Sequence, residues 1–316
     1  MEKYYPEGII YESKSNKKCL ESLTSIHDCF FEEKILEARV TLCDKEHNLY
    51  VDLGAMRGIM PREECAMGIA EGTVRDIAII SRVNRPVVFK IVDFKEDEDG
   101  NQLAVLSRRM VQQKCMNEYI KNLTVGDIID AKVTHNEAFG TFCDIGCGIS
   151  ALLPIDSISV SRIPSPDVRF KVNTMIKAVV KSIDNDGRVT LSHKELLGTW
   201  EENAEKFKAG QTVSGVVRSI EKYGIFIELA PNLAGLAEYT PDVNVGDATS
   251  VYIKSINPEK MKIKLAIVDS FPDDYQEPKI TYYYHENHMD YWRYSPYISQ
   301  KVIDSNFSVE KEEGMW

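Results

Sequence analysis

Three stretches of the chain repeat one pattern, and that repetition restricts the fold more than any other property of the sequence. EHNLYVDLGAM (Glu46 to Met56), AFGTFCDIGCG (Ala138 to Gly148) and EKYGIFIELAP (Glu221 to Pro231) align so that His47, Phe139 and Tyr223 coincide. Asn48, Gly140 and Gly224 follow, then Tyr50, Phe142 and Phe226, then Asp52, Asp144 and Glu228. Downstream, VVFKIVD, AVVKSID and VYIKSIN each precede a turn and a closing strand, QLAVLSRR, RVTLSHK and KIKLAIV.

Each copy reads as about five short alternating strands with glycines at sharp turns and no long internal helix. A unit of roughly 60 to 75 residues suits one small closed barrel, because closure removes the exposed edges of a short sheet. The predicted organisation is all-β, with three tandem five-stranded barrels joined by short helices. An N-terminal segment (1–32) precedes a diverged first barrel (33–109), a helical connector (110–123), a second barrel (124–194), a connector (195–208), a third barrel (209–269) and an aromatic-rich, acidic tail (270–316). In the connectors, Met116, Ile120 and Leu123, and in the same register Trp200, Ala204 and Phe207, mark one helix face, which predicts packed connectors.

The net charge of -11 argues against a surface that grips nucleic acid everywhere, so any RNA or DNA site must be local. The first residues, MEKYYPEGIIYESKSNKKC, lack the apolar core of a signal peptide, and no later stretch has the apolar length of a membrane span. Seven dispersed cysteines without CxxC spacing fit reduced thiols in the cytosol better than disulfides or a zinc ribbon.

Strand alternation places Ile225, Ile227 and Leu229 on one face and Phe226 and Glu228 on the other. Cys143 and Ile145 likewise oppose Phe142 and Asp144, and Leu49, Val51 and Leu53 oppose Tyr50 and Asp52. An aromatic ring on the carboxylate-bearing face in all three copies predicts a surface platform for stacking bases. The alternative is that these rings cap a barrel edge or pack against a loop. Lys90, Lys181 and Lys254 fall in register just before the turn, where they could meet phosphates, although a lone lysine is usually a solvated charge.

With GQTVSGVVRSIEKYGIFIEL, LAGLAEYT and VYIKSINPEKMKIKL in view, and GDIIDAKVTHNEAFGTFCDIG, ALLPID and KSIDNDGRVTLSHKE behind them, the chain resembles the ribosomal protein S-one family, built of tandem S-one RNA-binding domains. The resemblance implies oligonucleotide-binding (OB) barrels that bind single-stranded RNA, specifically mRNA, together with the small ribosomal subunit as a partner, a role in translation and a cytoplasmic location. Pro61 and Pro154 resemble the family's N-terminal repeats, which dock on the ribosome. Carried over by position, Asp184 and Arg188 complete the RNA surface of the second barrel beside Phe139, Phe142 and Lys181. Lys262, with Asn257, does so in the third, beside Tyr223, Phe226 and Lys254, while His47 and Tyr50 hold the matching places in the first. Glu238 departs from the histidine common in the family. The first copy departs further: its turn is the acidic KEDEDGN, and Leu103 replaces the basic residue, so weak or absent RNA binding and a protein-docking role are expected there.

No enzyme signature survives inspection. GCGISA nominally fits a dinucleotide fingerprint but leads into LLPID where a helix should begin, and there is no phosphate-loop lysine, nucleophile elbow or helical His-Glu pair. His285, His288 and Asp290 form an incomplete metal set, so neither metal nor cofactor is expected. The tail's composition fits folding back onto the third barrel or a partner better than gripping RNA. Two alternatives stand beside RNA binding: a scaffold that docks on the ribosome, and a partner that holds substrate for an RNA-processing enzyme.

Overall fold

The computed structural model describes residues 4–97, 100–272 and 280–308. Glu98 and Asp99 of the acidic hairpin, and residues 273–279 and 309–316 of the tail, lie outside the described residues. The chain forms two compact units, residues 1–123 with 144–150, and residues 124–143 with 151–316. Among the described residues no helix is long and apolar enough to cross a membrane, and all seven cysteines are free thiols.

The first barrel comprises β1 (Leu36–Cys43), β2 (Leu49–Asp52), β3 (Arg57–Met60), β4 (Pro86–Glu96) and β5 (Gln102–Ser107), closed in the order β1-β2-β3-β5-β4. Leu36, Ala38, Val40, Leu49 and Val51 alternate into its core. The segment before it forms α1 (Lys14–Leu20) and α2 (Leu23–Phe31), whose N-terminal amides are capped by Ser13 and Ser22. Asn16 ties α1 to β1 by exchanging hydrogen bonds of 2.7 and 2.9 Å with the Glu37 backbone.

The second barrel is built from β6 (Ile128–Glu137), β7 (Gly140–Asp144), β8 (Ser150–Pro154), β9 (Met175–Ile183) and β10 (Val189–Ser192). The third comprises β11 (Thr212–Glu221), β12 (Gly224–Ala230), β13 (Leu233–Ala237), β14 (Ala248–Asn257) and β15 (Lys262–Phe271). Both close with the connectivity of the first, a parallel contact joining the third and fifth strands. Three five-stranded OB-type barrels thus recur along the chain, as the repeats predict.

The connectors match expectation unequally. In α4 (Trp200–Ala204), Trp200 and Ala204 are buried and Phe207 packs on the third core. The earlier helix, α3 (Arg108–Glu118), starts within the expected first-barrel boundary, capped by Ser107 at the end of β5, and buries Arg108, Val111, Gln112 and Cys115, leaving Met116 half-buried. Of the expected face, Ile120 is buried, in the 3-10 turn Ile120–Asn122 that follows the helix, while Leu123, like Met116, is half-buried.

The tail folds back. Met289, Trp292, Tyr294 and Phe307 join the third barrel's core, and Tyr291–Arg293 pairs with Asp304–Asn306 as a two-stranded ribbon. Trp200 donates its backbone N–H to Tyr294 at 2.9 Å, and the Tyr294 hydroxyl donates to the Asn232 carbonyl at 2.5 Å. His288 Nδ1 lies 2.7 Å from Asp127 Oδ1 at the entry to β6.

Candidate nucleic-acid interface

The aromatic positions are set by glycine. A Cβ on Gly224, whose φ is +150°, would lie 2.4 Å from the Ala237 carbonyl oxygen, and one on Gly140 would lie 2.6 Å from that of Leu153. Only glycine permits this approach, so the chain turns abruptly and presents the preceding ring to solvent: Phe139 is 56% and Tyr223 70% exposed. Each ring meets the half-buried aromatic at the start of the following strand edge to face. Phe139–Phe142 and Tyr223–Phe226 both have centroids 6.0 Å apart, at 88° and 89°. Such pairs hold their geometry by quadrupole complementarity. In the second barrel His135 also stacks on Phe142, 4.5 Å away at 10°.

The first barrel departs from this arrangement for a local reason. Asn48 replaces the glycine, and its side chain accepts from Arg62 N–H at 3.0 Å and donates to Asp44 at 2.9 Å. His47 adopts φ +65° and lies half-buried, 3.8 Å from Asp76. Tyr50 is half-buried, and among the described residues no ring contact joins it to His47.

The expected carboxylate-bearing surface needs correction. Glu228 and Asp144 are each only 3% exposed. Glu228 accepts from Arg169 at 2.5 Å and from Arg218 Nε at 2.9 Å, both arginines being buried. Asp144 accepts from the amides of Gly146 and Gly148 at 2.9 and 3.0 Å, and burial followed by the neighbouring Glu7 carboxylate pushes its pKa to about 6. Alternation assigns these carboxylates to the outer face, but Arg169 and the Glu7 backbone amide, both remote in sequence, reach them there. Asp52 alone of the three stays exposed.

The lysine register also needs correction. In all three barrels the fourth strand bulges, at Val92, Lys181 and Lys254. Lys90 lies two residues earlier, is 6% exposed and pairs with Glu33 at 3.3 Å, so it offers nothing to a phosphate. The slip arises because β4 runs on before its turn: Asp97 and Asn101 close the hairpin as Asp184 and Arg188 do, two residues further from the bulge. Lys181 donates to Ser157 at 2.9 Å, and Lys254 pairs with Glu238 at 3.0 Å. Asp184 accepts from the amides of Asp186 and Arg188, a turn-closing task that leaves Arg188 exposed. Asn257 closes its turn similarly, accepting from Lys260 N–H at 2.8 Å, opposite Lys262.

Tyr223, Phe226 and Lys262 converge on a cleft of about 450 Å³ on the third barrel. Its cationic rim also includes Arg162, from the loop after β8, Lys260 from the β14–β15 turn, and Lys301 from the tail. Trp200, Met261 and Ile303 supply apolar wall.

The sequence pattern described as the S1 RNA binding domain matches residues 122–194. Over 300 residues the chain is 29% identical to small ribosomal subunit protein bS1 of Staphylococcus aureus strain COL, a match covering 89% of this chain and 74% of that protein. The corresponding protein of Staphylococcus haemolyticus is 28% identical over 284 residues, covering 84% and 69%. Residues 122–194, the second barrel, thus carry the S1 RNA binding domain pattern. Among solved structures, a multidomain protein with nucleic acid binding domains from Streptococcus pneumoniae matches at 12% identity and a TM-score of 0.24, covering 75% of this chain and 74% of that one.

Within this S1-domain chain, sequence reasoning missed His135, Arg162, Lys260 and Lys301. His135 lies two residues before the end of β6 and looked like solvent-facing alternation. Lys260 sits in a turn adjoining a residue already singled out, a signal that was present. Arg162 and Lys301 reach the cleft through a long loop and the tail, and no strand periodicity locates them. His288, expected at most in a partial metal set, is instead held between Asp127 and Asp290, 3.4 Å away.

Proposed function

We propose that this S1-domain chain is a non-catalytic protein of the bS1 kind that binds single-stranded RNA, specifically mRNA, in translation, with the small ribosomal subunit as a partner and the cytoplasm as its location. The observation that carries this reading is the aromatic corner repeated in the second and third barrels, Phe139 with Phe142 and Tyr223 with Phe226, at one distance and one angle. Exposed rings beside cations are the sequence-tolerant platform that single strands require, each stacked base contributing about 1–3 kcal/mol. Lys181, Arg188, Lys254 and Lys262 supply the phosphate contacts in this reading, with Asp184 shaping the turn that carries Arg188. The RNA contacts are assigned to residues 124–194 and 209–269. The first barrel, with Lys90 buried and His47 and Tyr50 apart, contributes little.

The test is a titration of the full chain with single-stranded RNA, single-stranded DNA and duplex RNA at two salt concentrations. Binding to the single strands that weakens with salt, with the duplex far weaker, supports the reading. Preference for the duplex, or no binding at all, contradicts it.

A further inference from the structure

We propose that the cleft on the third barrel is a one-nucleotide pocket for single-stranded RNA whose outer wall is the C-terminal tail, with Lys301 and Arg162 serving as phosphate contacts. The inference rests on the RNA-binding reading and adds to it a site that no barrel strand completes alone.

Size and chemistry both point to a nucleotide. A volume of about 450 Å³ is at the small end of ligand sites, which run from about 300 to 1,000 Å³, and it accommodates one nucleotide rather than a folded partner. Phe226 and Tyr223 form one wall at right angles to each other, so a base entering the corner stacks on one ring and meets the edge of the other. Trp200 and Ile303 add apolar lining. A base has the flat apolar body and polar edge that such a lining accepts, and its attached phosphate needs cations at the mouth.

The mouth supplies them. Arg162, Lys260, Lys262 and Lys301 gather around one cleft on a chain whose net charge is -11, so this concentration is not the average of its surface. Among the described residues no ion pair occupies Lys260, Lys262 or Lys301, and Arg162 has Glu221 only at 3.9 Å with its own side chain 86% exposed. These cations are therefore available to a ligand, whereas Lys254, on the same barrel, is held by Glu238.

The placement of Lys301 depends on the tail's packing. Trp292 and Tyr294 are buried in the third barrel's core, Tyr294 bonds to Asn232, and the backbone N–H of Tyr294 donates to Ile303 at 2.9 Å. The turn bearing Lys301 is thereby held against the barrel. A tail poor in basic residues still places one of them at the pocket.

The experiment compares the full chain with its R162A/K301A and F142A variants in titrations of a short oligouridylate, each over about 50 to 200 mM salt. Both altered cations are exposed, so unchanged thermal unfolding of the double variant is expected. R162A/K301A should bind about tenfold or more weakly at the lower salt, and the slope of log K against log salt should shrink by about 0.7 for each cation removed. F142A, acting through stacking on the second barrel, should weaken binding with its slope unchanged. If the unaltered chain binds and F142A weakens it while R162A/K301A leaves affinity and slope unchanged, the tail-walled pocket is overturned and the RNA reading stands. Failure of the unaltered chain to bind overturns both. A charge-reversed K301E variant that also retains full affinity would overturn the pocket independently.

Discussion

Glu238 is fully solvent-facing yet sits 3.0 Å from the Lys254 amino group, at the position where the S1 resemblance implies a histidine. A carboxylate there both occupies the lysine and repels phosphate. Replacing Glu238 with Gln should release Lys254 and strengthen single-stranded RNA binding by about two- to fivefold, the scale of one exposed ion pair. Fluorescence titration of E238Q checks this, and an unchanged affinity would mean that Lys254 is not an RNA contact. The same residue-scale logic explains what alternation can and cannot reveal. It identifies Phe142 and Phe226 because glycine and the strand pleat fix them locally. It fails at Glu228 and Asp144, since their outward direction is local while part of their cover, Arg169 in one case and Glu7 in the other, is not.

At the scale of elements, the two buried arginines on Glu228 connect the loop before β9 to β11 and β12. Removing one partner of a buried ionic cluster leaves uncompensated charge, so E228A should destabilise the second unit by about 3–5 kcal/mol. Urea unfolding followed by tryptophan fluorescence, with Trp200 and Trp292 both in the third core, measures it; a loss under about 1 kcal/mol would show the cluster to be solvated, as surface pairs are. The three barrels themselves were legible because the period-two pattern and turn residues recur three times, and chance does not repeat a register. The lysine register was not, because VVFKIVD and AVVKSID look alike while β4 is longer before its turn, a difference hidden in the acidic KEDEDGN segment. Strand length is set by cross-strand pairing, which sequence similarity at one lysine does not report.

For the whole molecule, stability at low pH should be governed in part by His193. It is fully buried against Phe170, Tyr282 and the Ile158 carbonyl, and burial lowers its pKa from the ordinary 6.5 to about 4. A depressed folded pKa means that the unfolded chain binds the extra proton between those values, so stability falls as pH drops from 6.5 towards 4 and levels off below. The loss is on the order of 3 kcal/mol. Unfolding midpoints across that range should show a shallower decline in H193Q; an identical decline would assign the acid sensitivity elsewhere. The tail was legible in part: its composition points to packing on the third barrel or a partner, and it packs on the third barrel, but that it brings Lys301 to a cleft depends on contacts between residues far apart in sequence. The central claim is that paired aromatics on the second and third barrels hold single-stranded RNA. The most direct measurement is the affinity of the F142A/Y223A/F226A chain for single-stranded RNA: loss of at least tenfold, from stacking of about 1–3 kcal/mol per base, is predicted, and affinity equal to that of the unaltered chain would contradict the claim.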